Sequence, residues 1–448
     1  MTERARLTDS FLEIVTRRNA GQDEFLQAVR DVAEDVITVE KNNPKWAQAK
    51  VLERLTEPDR LIRFRVTWMD EAGVMQINRG WRVQMSNAIG PYKGGLRFHP
   101  GVNPSVLKFL AFEQVFKNAL TGLPLGGAKG GSDFDPRGRS DAEIMRFCHA
   151  FMAELSRYIG PDVDVPAGDI NVGTREIGWL FGAYKQSAGA FHGALTGKGE
   201  AFGGSAMRVE ATGYGLIYFV QAMLAHAGRM LEGQRVAISG KGNVATHAAE
   251  KVICEGGTVV ALSDTAGTLL AEDGLSQEAV HWVQARKAAG EDIAGPPRRL
   301  GLSFVEAALP WGAAEYDIAL PCATQNEVDA AAAKQITDSG AILLAEGANM
   351  PLQAGALAHL RDSGINYAPG KASNAGGVAI SGLEMSQNAH RRFASAAEID
   401  AELKTLMQDI HQRILDEEGG GTRIDYARGA NVAAYRRVAD ALSAMGAV

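Results

Sequence analysis

Three lysines sit in glycine-rich or apolar surroundings: Lys93 in Gly90-Pro91-Tyr92-Lys93-Gly94-Gly95, Lys117 in Val115-Phe116-Lys117-Asn118-Ala119-Leu120, and Lys129 in Gly126-Gly127-Ala128-Lys129-Gly130-Gly131. A lysine head is strongly hydrated and normally stays in water. Among glycines and large apolar residues it either binds an anion or has its pKa lowered for proton chemistry. Two lysines for two carboxylates and a third for catalysis suit a small dianionic substrate. One such lysine alone reads equally well as a surface residue. Three of them, followed by Pro166-Ala167-Gly168-Asp169, do not.

A second constellation lies further along. Arg235-Val236-Ala237-Ile238-Ser239 has the pattern of a short buried strand and runs into Gly240-Lys241-Gly242-Asn243-Val244-Ala245, which opens a helix. Asp264 follows at the end of a second apolar strand, 24 residues past Gly240. A lone GxGxxA is weak evidence, but strand, helix and acidic residue together form the dinucleotide-binding context. Gly240 permits the tight turn, Gly242 lets the backbone approach a pyrophosphate, and Ala245 allows close helix–strand packing. The helix N-terminus then offers free N–H groups to phosphate. Asp264 suits ribose hydroxyls and favours NAD. Ser263 and Thr265 beside it, Lys241 within the fingerprint, and Arg286 and Lys287 at the next helix end suit a 2′-phosphate. The residues leave NAD and NADP open.

These groups need elements to hold them. Phe25, Val29, Val32 and Val36 recur at helical spacing, and Gly21 then Asp23 mark a stop and restart; Pro44 is expected to end this part. Residues 61–69 alternate as a strand, 70–73 form a turn, and 74–85 return as a second strand. Residues 104–120 make an apolar helix on which Gln114 and Lys117, three apart, share a face. Further helices are expected at 141–158 and 174–188. After about residue 204 strands and helices alternate, with strands at 235–239, 258–262, 317–320, 341–345 and 365–367. Apolar strands in such alternation predict a parallel sheet covered on both faces. Residues 390–448 are helical and charged, broken at Gly419-Gly420-Gly421. The expected fold is α/β with two domains. Residues 1–203 and 376–448 form an α/β substrate and oligomerisation domain, and 204–375 a Rossmann-like dinucleotide domain.

Bulk properties narrow the class. The chain has 448 residues, 46% hydrophobic and 22% charged, and a net charge of −7, so no basic field invites nucleic acid. Its apolar runs are too short for a membrane span, and the N-terminus lacks the apolar core of a signal peptide. Cys148, Cys254 and Cys322 are scattered, which argues for reduced thiols in the cytoplasm and against zinc.

Taken together these residues resemble the hexameric glutamate dehydrogenases, in particular the short bacterial and fungal type. The matching stretches are Gly90 to Pro100, the Gly126–Asp135 loop, Pro166-Ala167-Gly168-Asp169-Ile170, Glu210-Ala211-Thr212-Gly213-Tyr214-Gly215, Pro321 to Glu327, and Ser373-Asn374-Ala375-Gly376-Gly377-Val378 continuing to Ser381-Gly382-Leu383-Glu384. They follow in order over nearly the whole chain. The resemblance implies that Lys93 and Ser381 bind the side-chain carboxylate of glutamate. Gln114 and Lys117 would bind the α-carboxylate, with the Gly168 backbone and Asn374. Lys129 would be the catalytic lysine and Asp169 its proton-transfer partner. Thr212, Asn243 and Val244 would meet the cofactor, with Ala323 and Asn349 near the nicotinamide ribose. It also implies a cleft that closes on substrate, a homohexamer, and 2-oxoglutarate, ammonium and L-glutamate as substrates. The Ser263-Asp264-Thr265 pattern looks like the NADP-linked members, so NADP is expected over NAD, with Ser263 and Lys241 or Lys287 at the phosphate.

The sequence departs from the family pattern at several places. Ala128 stands where glycine is usual, Val209 replaces a proline and Lys241 a serine. Asn171 and Thr174 replace frequent glycines after Asp169, which puts turnover rate in question. The long helical insertion of animal enzymes is absent, so purine-nucleotide regulation is not expected. Rival readings are an NAD-linked glutamate dehydrogenase, another amino-acid dehydrogenase, or a non-catalytic dinucleotide sensor. Lys93 and Ser381 oppose a different side-chain specificity, and a sensor has no need of Lys129 and Asp169.

Overall fold

The computed structural model describes residues 3–421 and 423–447. The chain forms two compact units: residues 1–208, 378–399 and 431–448 make the first, and residues 209–377 and 400–430 the second.

The first unit is built on a five-stranded sheet of order β1-β2-β4-β3-β5. Its strands are β1 (Arg60–Met69), β2 (Met75–Ser86), β3 (Tyr92–Phe98), β4 (Gly127–Ser132) and β5 (Asp164–Gly168). β1 and β2 run antiparallel, with Met69 opposite Met75. The turn between them closes on Asp70, whose Oδ1 accepts from the Val74 N–H at 2.9 Å. β3 lies between β4 and β5 and is parallel to both.

The glycine-rich stretch at 126–135, read as a loop, is therefore largely a strand, and the stretch around Lys93 is another. Packing explains the composition. A Cβ on Gly94 would fall 1.7 Å from the Ala128 carbonyl oxygen, so neighbouring backbone occupies the place of a side chain. Helix Pro104–Leu120 is capped by Asn103, whose Oδ1 accepts from the Val106 N–H at 3.0 Å, and it packs on β4. On the opposite flank Phe98, Phe134, Phe147 and Phe151 share one core with Trp68. The rings of Phe134 and Phe147 stack at 3.8 Å.

In the N-terminal helix Asp23–Lys41, Phe25, Val29, Val32 and Val36 are all buried, as their spacing predicts. Pro44 does not end this region. It occupies the first turn of helix Pro44–Ala49, where its missing N–H leaves no bond unmade. The helix expected at 141–158 closes earlier, at Leu155.

The second unit carries seven strands in the order β12-β11-β10-β6-β7-β8-β9. They are β6 (Arg235–Ser239), β7 (Thr258–Ser263), β8 (Gly267–Leu270), β9 (Ser303–Glu306), β10 (Ile318–Pro321), β11 (Leu343–Ala345) and β12 (Asn366–Ala368). From β12 to β7 all neighbours are parallel, while β8 and β9 add antiparallel and were not anticipated. The strand order reverses between β6 and β10, the switch point at which doubly wound sheets bind ligands.

Residues 400–430 pack with this second unit, which differs from the expected assignment of all of 376–448 to the first domain. Their apolar and polar partners explain it. Tyr218 Oη donates to Asp400 at 2.6 Å, and Phe219 makes edge contacts with His411 and Tyr426. Charge and helical period along 390–448 gave no sign of this.

Candidate active site

In the first unit, Lys93 on β3 is 1% exposed, and its Nζ donates to the Thr196 hydroxyl at 2.7 Å. Burial drives its pKa well below the usual lysine range, and Arg82 and Arg208 push the same way, while Glu384 and Asp164 oppose them. An anion arriving there would supply the missing counter-charge. Ser381, buried on helix Gly376–His390, belongs to the same unit. On helix Pro104–Leu120, Gln114 donates to Asn118 Oδ1 at 2.7 Å and Lys117 lies one turn further on. Burial lowers the Lys117 pKa to about 8, with Lys129 adding to the effect and Asp169 opposing it.

Lys129 on β4 is 5% exposed, and its Nζ lies 3.2 Å from Asp169 Oδ1. Burial lowers its pKa, against the opposing charge of Asp169. Burial would raise the Asp169 pKa, but Lys129 and Arg97 outweigh it and hold the carboxyl at about 2. Arg97 Nε donates to Asp169 Oδ2 at 2.8 Å. Asp169 is thus a carboxylate with one oxygen on each cation. It follows directly on Gly168 at the end of β5, in a turn closed by the Val172 N–H donating to the Asp169 carbonyl at 2.9 Å. Asn171 takes a left-handed φ of 59° in that turn and donates from Nδ2 to the Phe98 carbonyl at 2.9 Å. Asparagine tolerates this conformation better than most residues, which explains how the turn forms without glycine.

Sequence reasoning missed Arg97, Thr196, Arg82 and Arg208. Arg97 had a signal: along a strand Lys93 and Arg97 project to one face, since alternate residues do. Arg82 also had one, as a cation flanked by Trp81 and Val83 within β2. Its guanidinium is fully buried and pairs with Asp164 through Nε at 2.9 Å. Thr196 and Arg208 lie in irregular segments and carried none.

In the second unit, Gly240 follows β6 with φ of 89°, and a Cβ there would fall 2.9 Å from Ala323 Cα at the end of β10. The two strand ends at the switch point therefore come together. Gly242 caps helix Asn243–Cys254 without a side-chain cap, and a Cβ on it would meet no atom within 4 Å. Open space thus lies beside Gly242 at the helix N-terminus, whose first-turn amides suit a diphosphate. Ser263 is buried, and its Oγ accepts from the Gly240 N–H at 3.4 Å. Asp264 accepts from Lys241 Nζ at 2.7 Å and from the Ala266 and Ile293 amides. Burial would raise its pKa, but these partners hold it below the usual range.

Lys287 Nζ reaches Asn243 Oδ1, whereas Arg286 turns away to Glu291 at 2.6 Å. Thr212 lies in the first turn of helix Ala211–His226. Asn374 belongs to this second unit, not to the one that holds Gln114 and Lys117, and its Nδ2 donates to Asn349 Oδ1 at 3.1 Å.

A Rossmann-like unit with an open glycine turn, and a second α/β unit with a buried lysine–aspartate pair, define a two-domain dinucleotide-dependent oxidoreductase. The family model described as Glutamate/Leucine/Phenylalanine/Valine dehydrogenase matches residues 203–446, and that described as Glu/Leu/Phe/Val dehydrogenase, dimerisation domain, matches residues 58–186. The chain is 52% identical to the NADP-specific glutamate dehydrogenase of Psychrobacter sp. (strain TAD1), over 97% of this chain and 98% of that one. It is 51% identical to the enzyme of the same name from Escherichia coli (strain K12), over 98% of each. The crystal structure of Plasmodium falciparum glutamate dehydrogenase superposes with a TM-score of 0.96 at 43% identity, covering 99% of this chain and 96% of that one. The chain belongs to the Glu/Leu/Phe/Val dehydrogenase family.

Proposed function

We propose that this chain catalyses the reversible reductive amination of 2-oxoglutarate with ammonium and NADPH to L-glutamate. The observation that carries this reading is Lys93, buried and bonded to Thr196, with nearby Glu384 and Asp164 not offsetting the cost of burying its charge. A side-chain carboxylate would satisfy that charge, and an apolar amino acid would leave it unpaired.

Lys93 and Ser381 bind the distal carboxylate, and Lys117 with Gln114 binds the α-carboxylate. Held at both ends, the substrate loses the freedom that an encounter in water would have to overcome. A nicotinamide bound there would supply the hydride in amination and accept it in deamination. Lys129, with its pKa lowered by burial, exchanges a proton at Nζ. In deamination that amine takes a proton from the water attacking the imine carbon. Asp169, ionised at neutral pH, accepts a proton from the substrate nitrogen. The first-turn amides of helix Asn243–Cys254 would hold the diphosphate, and Thr212, Ala323 and Asn349 would line the cofactor's side of the reaction.

The preference for NADP rests on charge. Lys241 already pairs with Asp264, which reduces the repulsion that an aspartate would exert on a 2′-phosphate, and Lys287 stands at Asn243 in the fingerprint. Strict NAD use is the second reading, favoured by the position of Asp264 at the end of β7. The names of the relatives support NADP, and the dimerisation-domain match supports an oligomer, which we take to be a homohexamer. The expected compartment is the cytoplasm. Among the described residues no helix is long and apolar enough to cross a membrane.

Initial rates at 340 nm with 2-oxoglutarate and ammonium, run in parallel with NADPH and NADH, test the proposal. A strong NADPH preference is expected. Faster turnover with NADH would return Asp264 to a ribose role, and no rate with either would remove the substrate assignment.

A further inference from the structure

Helix Gly376–His390 carries an acidic residue, Glu384, one turn beyond Ser381. The Glu384 carboxylate is completely buried. Its Oε1 accepts from Lys198 Nζ at 2.6 Å, and its Oε2 accepts from the Gly197 N–H at 2.9 Å. The Lys198 side chain is also fully buried, and its ammonium donates in addition to the Leu195 carbonyl. These bonds tie segment 195–198 to the helix. Within that segment, the Thr196 N–H donates to the Pro166 carbonyl at 3.0 Å, and its hydroxyl accepts from Lys93 Nζ.

Burying an ion pair at zero exposure costs desolvation, so it is poor evidence of stabilisation for its own sake. Its surroundings suggest another use. Four charged groups act on Lys93: Arg82 from β2, Arg208 from the segment before helix Ala211–His226, Asp164 from β5, and Glu384. Asp164 is committed elsewhere, since both its oxygens take bonds from Arg82 and one also takes Gln84 Nε2 at 2.9 Å. Glu384, held by Lys198 and the Gly197 N–H, is the other anion and the stronger of the two in its effect on Lys93. It also acts on Arg208, whose own pKa is lowered by burial and raised by Glu384.

We propose that Glu384 is a positioning residue for the distal-carboxylate end of the substrate site: with Lys198 it fixes the segment that presents Thr196 to Lys93, and it supplies part of the counter-charge to Lys93 while no substrate is bound. The proposal rests on the assignment of Lys93 to the substrate carboxylate. Glu384 touches Lys198 and Gly197 and acts through Lys93, so it is not assigned a catalytic role.

The test is the pH dependence of kcat and KM for 2-oxoglutarate, from pH 6 to 9.5, in the wild type, Glu384→Gln, Glu384→Asp, Lys198→Met and the double variant Glu384→Gln/Lys198→Met. Glu384→Gln is expected to raise KM about tenfold or more at pH 8, as loss of a hydrogen-bonded charge does. Its kcat should stay within about threefold, the signature of lost binding and not lost transition-state contact. The alkaline limb of kcat/KM should move to lower pH by about one unit, because Lys93 loses the charge that favours its protonated form. Glu384→Asp should recover part of that shift. Lys198→Met should raise KM while leaving the limb at the wild-type pH or above it.

The double variant removes both members of the buried Glu384–Lys198 pair, so neither is left without the other. It should fold where Glu384→Gln does not, and it should keep the shifted limb. An unshifted limb in either Gln-containing protein, or equal losses at all pH values in the Glu384 and Lys198 variants, would reduce the pair to a structural strut. Lys93→Leu separates the two levels of inference. If it leaves KM for 2-oxoglutarate unchanged, the substrate assignment itself fails, whatever Glu384 does.

Discussion

Asp169 Oδ1 lies 3.2 Å from Lys129 Nζ, and the other carboxylate oxygen is taken by Arg97. The pair is therefore oriented before substrate arrives, with the lysine's proton facing a fixed acceptor. Lys129→Ala should lower kcat by roughly 10²- to 10⁴-fold while 2-oxoglutarate still protects the protein in binding assays. Retention of more than about a tenth of the wild-type kcat would remove Lys129 from the chemistry.

The same geometry predicts an acid-side stability change. Asp169 titrates at about 2 in the folded chain, below its usual range, so its contribution is fully present above the unfolded aspartate pKa of about 4. That contribution disappears as pH falls from about 4 toward 2. In Arg97→Met one of the two cations is gone, and the acid-unfolding midpoint, followed by circular dichroism, should move to higher pH. An unchanged midpoint would mean that Arg97 does not hold Asp169 ionised.

Lys117 makes the opposite kind of prediction. With its pKa lowered to about 8, it is largely neutral at pH 9 in the free protein. Between that value and the unfolded lysine pKa the unfolded chain binds the extra proton, so this group makes stability rise with pH across the interval. A dicarboxylate bound at Lys117 would restore the ammonium. Calorimetry of glutarate binding at pH 9, in buffers of different ionisation enthalpy, should show net proton uptake. In Lys117→Met the uptake should fall, and an undiminished uptake would assign the proton to another group.

Lys93 carries the side-chain specificity. Lys93→Leu should reduce kcat/KM for glutamate by about 10²-fold or more and improve use of apolar amino acids, because a buried ammonium no longer has to go unpaired. Steady-state rates with glutamate and norvaline measure this. A preserved glutamate preference would contradict the assignment.

Cofactor choice is read at the end of β7. Lys287→Met should raise KM for NADPH on the order of tenfold, as loss of a charge-assisted bond does, with little change for NADH. Equal effects on both cofactors would indicate that Lys287 only buttresses Asn243.

The sequence by itself determined much of this protein. Alternation located β1, helical spacing located helix Asp23–Lys41, and apolar composition located helix Pro104–Leu120, because burial shows in composition. The fingerprint from Gly240 to Ala245 was legible because a phosphate-binding turn restricts residue type at fixed spacing. The lysines stood out because charge among glycines is rare.

What the sequence did not reveal was long-range. β4 escaped notice because its glycines answer to neighbouring backbone, as at Gly131 and the Arg97 carbonyl, and not to strand propensity. Arg97 on Asp169, Thr196 under Lys93, and Lys198 against Glu384 join residues 72, 103 and 186 positions apart, and nothing local encodes such a pairing. The return of residues 400–430 to the second unit was hidden for the same reason. Their periodicity says that a face is buried but not which unit buries it, and only the folded chain decides that.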